Sequence, residues 1–353
     1  FGFAVAIQFL MIGIGSPLFG AIADKFGSSK AALYGVILLI IGLYMMSNVQ
    51  SSLEIIISQA IFGLGSAGCG TAVVLGAVGK AVEEKNRTLS LGIVMAAGSL
   101  GQFLIVPLAG LLINLSGWMQ SIIYLCFLAS IMVIFCFSLS LPKKNSEENY
   151  EEITSLKAVL DEAFSNKSYN LLTLGFFVCG FHVSFVATHL PAYLEDLTLP
   201  IWIGSWSLAL IGLFNVFGTL MFGKLGDSKS KKNLLAILYS LRSLLFLVFI
   251  FLPKNEITIL IFAALLGILW LSTVPLTSGI ISVIFGSRYM SMLYGFSFLS
   301  HQIGSFLGSW FGGRLYDYYG SYDIMWWMCV ALGFISAAVH MPIIEKPLSQ
   351  QYS

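Results

Sequence analysis

Three of the histidines inside long apolar stretches of this sequence could do chemistry, because a membrane-embedded ionisable side chain is costly and often functional. His182 and His189 are seven residues apart, so a helix would place them on one face, two turns from each other. His301 is followed directly by Gln302. A neutral imidazole donates a hydrogen bond to a carboxylate, and a protonated one also neutralises it. These residues are candidates for binding an anion; the alternative is histidines that bond backbone carbonyls in helix packing.

Arg242 is the one charged residue in the apolar stretch from 233 to 253, far from both ends. Its side chain cannot easily reach the membrane surface, so some acceptor must neutralise it. A monovalent organic anion would do so, and so would a structural bond to neighbouring backbone or to Asn215. Weaker binding candidates are polar or aromatic residues of a kind that often serves only in helix packing: Asn215, Thr219, Gln102, Trp270 and Thr273.

Composition places these residues in a membrane protein. Of the 353 residues 58% are hydrophobic and only 10% are charged, too few to cover a soluble domain of this length. The net charge of +1 and the lack of a dense basic block exclude a nucleic-acid partner. Five cysteines without metal-ligand spacing predict neither a disulfide framework nor a metal site.

Uncharged runs show how often the chain crosses the bilayer, since about 20 apolar residues span its core as a helix. The run from 88 to 142 is long enough for two crossings and carries a turn signal at 114 to 117. Eleven crossings result: 1 to 23, 31 to 53, 55 to 79, two within 88 to 142, 168 to 194, 197 to 223, 233 to 253, 257 to 287, 289 to 313 and 324 to 344.

An internal repeat relates the two halves of the sequence. A shift of 203 positions superposes seven pairs of identical Gly or Asp residues: Gly20/Gly223, Asp24/Asp227, Gly76/Gly279, Gly92/Gly295, Gly101/Gly304, Gly110/Gly313 and Gly117/Gly320. The same shift would place the counterpart of the crossing that begins at 168 upstream of Phe1. We therefore expect a parent protein of twelve crossings, six in each half.

Basic residues set the orientation, because cytoplasmic loops of membrane proteins are enriched in Lys and Arg. Fifteen of them flank the crossings on one side, and only Lys254 and Arg314 flank them on the other. We expect the first side, with the linker and the C-terminus, to be cytoplasmic, in a bacterial inner membrane.

Gly20-x-x-x-Asp24-x-x-Gly27 followed by Lys30 resembles the signature of the major facilitator superfamily between its second and third helices, and Gly223-x-x-x-Asp227 repeats it weakly. Glycine allows close helix approach, while an aspartate can cap a neighbouring helix and hold the halves shut. These six residues are a predicted gating motif; a solvated loop aspartate is the alternative.

The resemblance implies an all-α membrane protein with two six-helix bundles related by a pseudo-two-fold axis, of which eleven of the twelve helices are present. It predicts an N-terminal bundle at 1–142 (helices two to six), a cytoplasmic linker at 143–167 and a C-terminal bundle at 168–353 (helices seven to twelve). Within the linker, Ile153, Leu156, Leu160 and Phe164 recur at helical spacing and predict an amphipathic helix at the membrane surface.

Other segments are similar to the monocarboxylate-transporter-like branch of the superfamily, such as 62 to 68, 98 to 107, 112 to 118, 188 to 193 and 300 to 308. Asn215 and Thr219 stand where well-known monocarboxylate carriers place an Asp and an Arg, so proton coupling through that pair is excluded. Gln59 replaces an Arg of proton-driven drug exporters.

No catalytic triad, metal cluster or phosphate-binding loop is evident, so we expect neither an enzyme nor a cofactor. The sequence predicts a monomeric secondary transporter that moves a small organic anion by alternating access, with a proton or other coupling ion as a further partner, as in symport. A drug or metabolite exporter and a non-transporting solute receptor are the alternatives.

The basic asymmetry makes a topology prediction. Fusions of periplasmic phosphatase at Lys157 should be inactive, because position 157 is predicted to be cytoplasmic, and fusions near Glu195 should be active. Phosphatase activity in the reverse pattern would contradict the orientation.

Overall fold

The computed structural model describes residues 2–139 and 156–350, which are largely helical. Helices of the N-terminal half are α1 (Gly2–Phe26), α2 (Ser28–Met46), α3 (Ser52–Gly68), α4 (Thr71–Ala81) and α5 (Arg87–Cys136). A short helix, α6 (Leu156–Ser165), precedes the C-terminal half. Helices of that half are α7 (Lys167–Asp196), α8 (Ile201–Ser228), α9 (Lys231–Phe251), α10 (Glu256–Leu269), α11 (Thr273–Phe285), α12 (Met290–Tyr319) and α13 (Asp323–His340).

Eleven crossings are found in the described ranges, as predicted. Nine helical stretches there are long and apolar enough to span a bilayer. One of them, Glu84–Leu139, has 56 residues and makes two crossings because the chain turns at Gly117, whose φ of 75° is readily adopted only by glycine. The eleventh is α12, whose 30 residues include many small and polar ones.

Two crossings are interrupted near their middle. Helices α3 and α4 are separated at Cys69 and Gly70, and α10 and α11 are separated at residues 270–272. The 203-residue shift carries the first interruption to positions 272 and 273, so the two breaks are equivalent in the repeat. Both breaks have glycine packed against them: a β-carbon on Gly35 would lie 2.5 Å from the Cys69 nitrogen, and one on Gly218 would lie 2.6 Å from Ser272 Oγ.

The two halves meet along two equivalent helix pairs, α1 with α12 and α5 with α8. A β-carbon on Gly92 would lie 2.6 Å from the Thr219 carbonyl oxygen, and one on Gly295 would lie 2.7 Å from the Ser16 carbonyl oxygen. These contacts are related by the same shift of 203 positions. Glycine is needed at both positions because the helix backbones touch.

The predicted amphipathic linker helix is present in part. Helix α6 begins at Leu156, and Ile153 lies outside the described residues. The face that packs on the protein is formed by Val159 and Ala163, whereas Leu156 and Phe164 are 37% and 47% exposed. Phe164 also packs on the protein, with its ring centroid 5.3 Å from that of Phe296. The position of this helix at the membrane surface stays a prediction.

Gly92 and Gly98 are a matched pair on α5. Both lie in a helix, where alanine is favoured over glycine by about 1 kcal/mol, but a β-carbon on Gly98 meets nothing within 4 Å. Gly98→Ala should leave the unfolding midpoint in detergent unchanged or raise it. Gly92→Ala should lower it, because overpacking costs about 1–3 kcal/mol. Equal midpoints for the two variants would contradict the close approach of α5 to α8.

Candidate functional site

The break between α10 and α11 leaves main-chain groups without helical partners, and side chains from other helices bind them. Arg242 on α9 donates from Nη2 to the carbonyl oxygens of Leu269 and Trp270, at the C-terminal end of α10. A cation is favoured at that end by the helix dipole. Arg242 therefore caps the broken helix from inside the C-terminal half.

Asn215 on α8 binds the same break from the side that faces the other half. Its Oδ1 accepts from the Leu271 amide at 2.9 Å, and its Nδ2 donates to Ser99 Oγ of α5 at 2.6 Å. A hydrogen-bonded path thus runs from the N-terminal half through Asn215 to the break.

Four predicted binding residues converge here: Asn215, Arg242, Trp270 and Thr273. The structure adds Cys179 on α7, one of the five cysteines without metal-ligand spacing; its Sγ lies 3.3 Å from Thr273 Oγ1. We call these five residues the break cluster. Each of them is almost fully buried.

The charge of Arg242 has no carboxylate partner within the described ranges, where the two ion pairs are Lys80 with Asp24 and Lys231 with Glu345. Arg242 is 0% exposed, and its guanidinium carbon lies 5.4 Å from the ring centroid of Tyr239. Of the two structural contacts that the sequence leaves open, to neighbouring backbone and to Asn215, the backbone contact is the one observed. Nε and Nη1 of Arg242 make no hydrogen bond.

His301 and Gln302 lie on α12 and point in different directions. His301 packs against Phe176 and Phe298, with ring centroids 4.8 and 5.0 Å away, and its Nδ1 donates to Gln302 Oε1 at 3.0 Å. Gln302 contacts α1, where a β-carbon on Gly13 would lie 2.9 Å from its Cβ. His301 thus belongs to the interior of the C-terminal half and Gln302 to the boundary between halves.

The other two candidate histidines bond backbone carbonyls. His182 Nε2 donates to the Cys329 oxygen of α13 at 2.9 Å, and His189 Nε2 donates to the Ser309 oxygen of α12 at 2.8 Å. Although seven residues apart on α7, they contact different helices. His182 Nδ1 is buried and makes no hydrogen bond.

The gating-motif aspartates bind the N-termini of helices in the opposite half. Asp24 accepts from the Met292 amide of α12 at 2.8 Å and pairs with Lys80 Nζ at 2.5 Å. Asp227 accepts from the amides of Thr88 and Leu89 of α5 at 2.8 and 3.0 Å. Positions 24 and 89 become 227 and 292 after the 203-residue shift, so the two contacts are equivalent.

The remaining motif residues have unequal surroundings. A β-carbon on Gly20 would lie 2.5 Å from the Ser291 carbonyl oxygen and one on Gly223 would lie 3.1 Å from that of Thr88, so both lie at the boundary between halves. Gly27, with φ 99°, precedes α2, and Lys30 is exposed.

Two further basic residues act at this boundary. Lys80 is the partner of Asp24, and Arg87 Nη1 donates to Ser282 Oγ of α11 at 2.8 Å. In the sequence both are only basic residues beside the crossings, and their positions at the ends of apolar runs are the available signal. We call this end of the molecule the basic face: it carries Asp24, Lys80, Arg87 and Asp227.

Toward the opposite face, α5 and α8 diverge. A cavity of about 660 Å³ lies between them. Most of its lining is apolar, including Phe103, Pro107 and Trp206, with Asn114 and Ser205 as polar members. The α5–α8 boundary is therefore closely packed near the basic face and contains a cavity toward the other face. Within the described part of the chain, no cluster of His, Cys, Asp or Glu could hold a metal ion.

Each aspartate protects a different helix start, which makes a hydrogen-exchange prediction. Asp24→Asn should speed amide exchange at 290–293 about tenfold, and Asp227→Asn should do so at 87–90, because a bond to a charged group contributes about 1.5–3 kcal/mol. Asp161→Asn, at an exposed position of α6, is the control and should change neither segment. Unchanged exchange at both starts would reduce the motif to a solvated turn.

A family model described as Major Facilitator Superfamily matches residues 1–309. The chain is 23% identical over 360 residues to the uncharacterized MFS-type transporter YcxA of Bacillus subtilis (strain 168), covering 99% of this chain and 87% of that protein. It is 22% identical over 314 residues to monocarboxylate transporter 13 of Rattus norvegicus, with 87% and 71% covered. With the multi-drug resistance efflux pump PmrA of Streptococcus pneumoniae it shares 23% identity over 367 residues, with 98% and 87% covered.

Among solved structures, the proton:xylose symporter XylE superposes with a TM-score of 0.73 at 15% identity, covering 96% of this chain and 84% of that one. This similarity shows a shared fold. Together with the family match over most of the chain, it leads to the conclusion that the protein belongs to the major facilitator superfamily.

Proposed function

We propose that this secondary transporter carries a small organic anion with a single carboxylate. The observation that carries the proposal is Arg242, a buried cation that has no carboxylate partner in the described chain and two nitrogens, Nε and Nη1, that make no hydrogen bond. Burying an uncompensated charge is costly, and an anion would offset that cost. The similarity to monocarboxylate transporter 13 supports the same substrate class.

Alternating access is supported by the arrangement of the halves. Asp24 and Asp227 join them at the basic face, while a cavity separates α5 from α8 toward the other face. We infer that the basic face is cytoplasmic, from the positive-inside rule, and that the protein lies in a bacterial inner membrane. The structure then corresponds to a state closed to the cytoplasm, and transport requires the aspartate contacts to break.

Symport with a proton or another ion would need a titratable or coordinating group. Asn215 and Thr219 supply no charge, and their bonds to Ser99 and to backbone are structural. His182 and His301 each have one unpartnered ring nitrogen, which makes them the proposed carriers of any coupling proton.

An exporter of amphiphilic compounds is the second candidate. The cavity between α5 and α8 has a mainly apolar lining with aromatic side chains, which suits such a compound, and the chain is similar to the efflux pump PmrA. Transport of ethidium but of no carboxylate would favour this function.

Uptake into proteoliposomes tests the proposal, with lactate, pyruvate, oxalate and glucose as the panel. We expect flux of lactate or pyruvate and none of glucose, because only an anion compensates Arg242. His301→Ala and His182→Ala should weaken counterflow of labelled substrate, whereas Cys126→Ala, in the N-terminal half, should not. Glucose flux alone, or no anion flux with a proton gradient of either sign, would contradict the proposed substrate class.

A further inference from the structure

Arg242 holds the end of α10 with a single nitrogen. The Nη2 group donates to both Leu269 and Trp270, while Nε and Nη1 make no hydrogen bond although they are buried. Buried donors without partners are costly, and more so on a charged group. The observed contact therefore satisfies only part of the guanidinium.

The shape of the guanidinium decides how an anion could bind to it. Its donors lie in one plane, and a carboxylate binds most strongly across two parallel N–H groups. One such edge combines Nε with Nη2, and the other combines Nη1 with Nη2. Both edges need a hydrogen of Nη2, and both of these hydrogens are already bound to α10. A carboxylate can form the paired contact only by replacing one of the two carbonyl groups.

We propose that the substrate carboxylate competes with the C-terminus of α10 for Arg242, so that anion binding loosens the break between α10 and α11; this rests on the proposed function. Nη2 exchanges one carbonyl bond for a bond to the carboxylate, and Nε or Nη1, which has no partner in this structure, donates the second bond. It frees the Leu269 or the Trp270 carbonyl and leaves α11 tied to the rest of the cluster by Thr273 and Cys179. Arg242 then links occupancy of the site to the geometry of a membrane-spanning helix.

Competition for Arg242 also favours a substrate with a single negative charge. Within the apolar stretches, Arg242 is the one Lys or Arg deep in a span. A monocarboxylate brings one charge to one cation. The second carboxylate of oxalate or succinate would enter the same interior without a cation, at a desolvation cost that the site does not offset.

The N-terminal half provides an internal control for the mechanism. Shifting Arg242 by 203 positions gives Leu39, and shifting Asn215 gives Ile12. The break between α3 and α4 therefore lacks the cation and the amide side chain that bind its counterpart. Anion binding should loosen only the break in the C-terminal half.

Two native cysteines report on the two breaks. Cys179 is fully buried against Thr273 and the Trp270 carbonyl, so it reacts with a thiol reagent only when the break opens. Cys69 lies in the other break, where its Sγ donates to the Gly65 oxygen at 3.3 Å. Variants that keep one of these cysteines and replace the other four with serine isolate each signal.

The experiment measures labelling by N-ethylmaleimide in proteoliposomes with and without lactate, beside lactate flux in the same vesicles. We expect lactate to speed labelling of Cys179 about tenfold, the change for a population shift of one order of magnitude, and to leave Cys69 unchanged. Succinate and glucose should leave both rates unchanged. Arg242→Lys keeps the charge but removes the two-donor edge and should abolish the lactate effect, whereas Arg314→Lys, at an exposed position, should preserve it.

The experiment distinguishes failure of the proposed competition for Arg242 from failure of the proposed function. Lactate flux with constant Cys179 labelling would overturn the competition and leave the proposed function intact. A lack of flux of any carboxylate would overturn the proposed function and the competition with it. Equal acceleration at Cys179 and Cys69 would indicate a general loosening and would also overturn the inference. If Arg242→Lys does not fold, the comparison of the two native cysteines decides the question alone.

Discussion

Main-chain amides and carbonyls inside a bilayer need partners from the protein itself, and the break between α10 and α11 is where this requirement is most demanding. Arg242, Asn215 and Cys179 reach it from three different helices. Their side chains restrict the rotation of α7, α8 and α9 about their axes. The packing of these helices in the C-terminal half therefore depends on binding the main-chain groups of one interrupted helix.

The two halves of the repeat share the same backbone arrangement but differ in the side chains that surround it. Both have a broken helix at equivalent positions with glycine packed against it, and the C-terminal break is in addition bound by a charge and an amide. Hydrogen bonds to a guanidinium can be exchanged for others, which makes the C-terminal half the half suited to respond to a ligand.

Much of the fold followed from the sequence, because hydrophobic runs and an ungapped repeat are direct consequences of bilayer thickness and duplication. The number of crossings and the turn at Gly117 were predictable for that reason. The break cluster was not predictable as a unit: a polar residue in a span shows that a partner exists but not which one. Arg242 was identified as needing an acceptor, but its acceptors are main-chain carbonyls, which have no signature in the sequence. Cys179 and Lys80 were missed as site residues because a buried thiol and a loop lysine look ordinary until their neighbours are known.

The aspartates at the basic face bind amide groups of the main chain at 88, 89 and 292, and every residue except proline presents such a group. Substitutions at those three positions can therefore accumulate in related sequences without loss of the contact. Each aspartate, in contrast, has to be kept, since no other group in its place would offer the same two acceptor oxygens at that length. These contacts between the halves therefore constrain the sequence only at the two aspartates. The residues at 88, 89 and 292 can change, because the contact uses their main-chain amides.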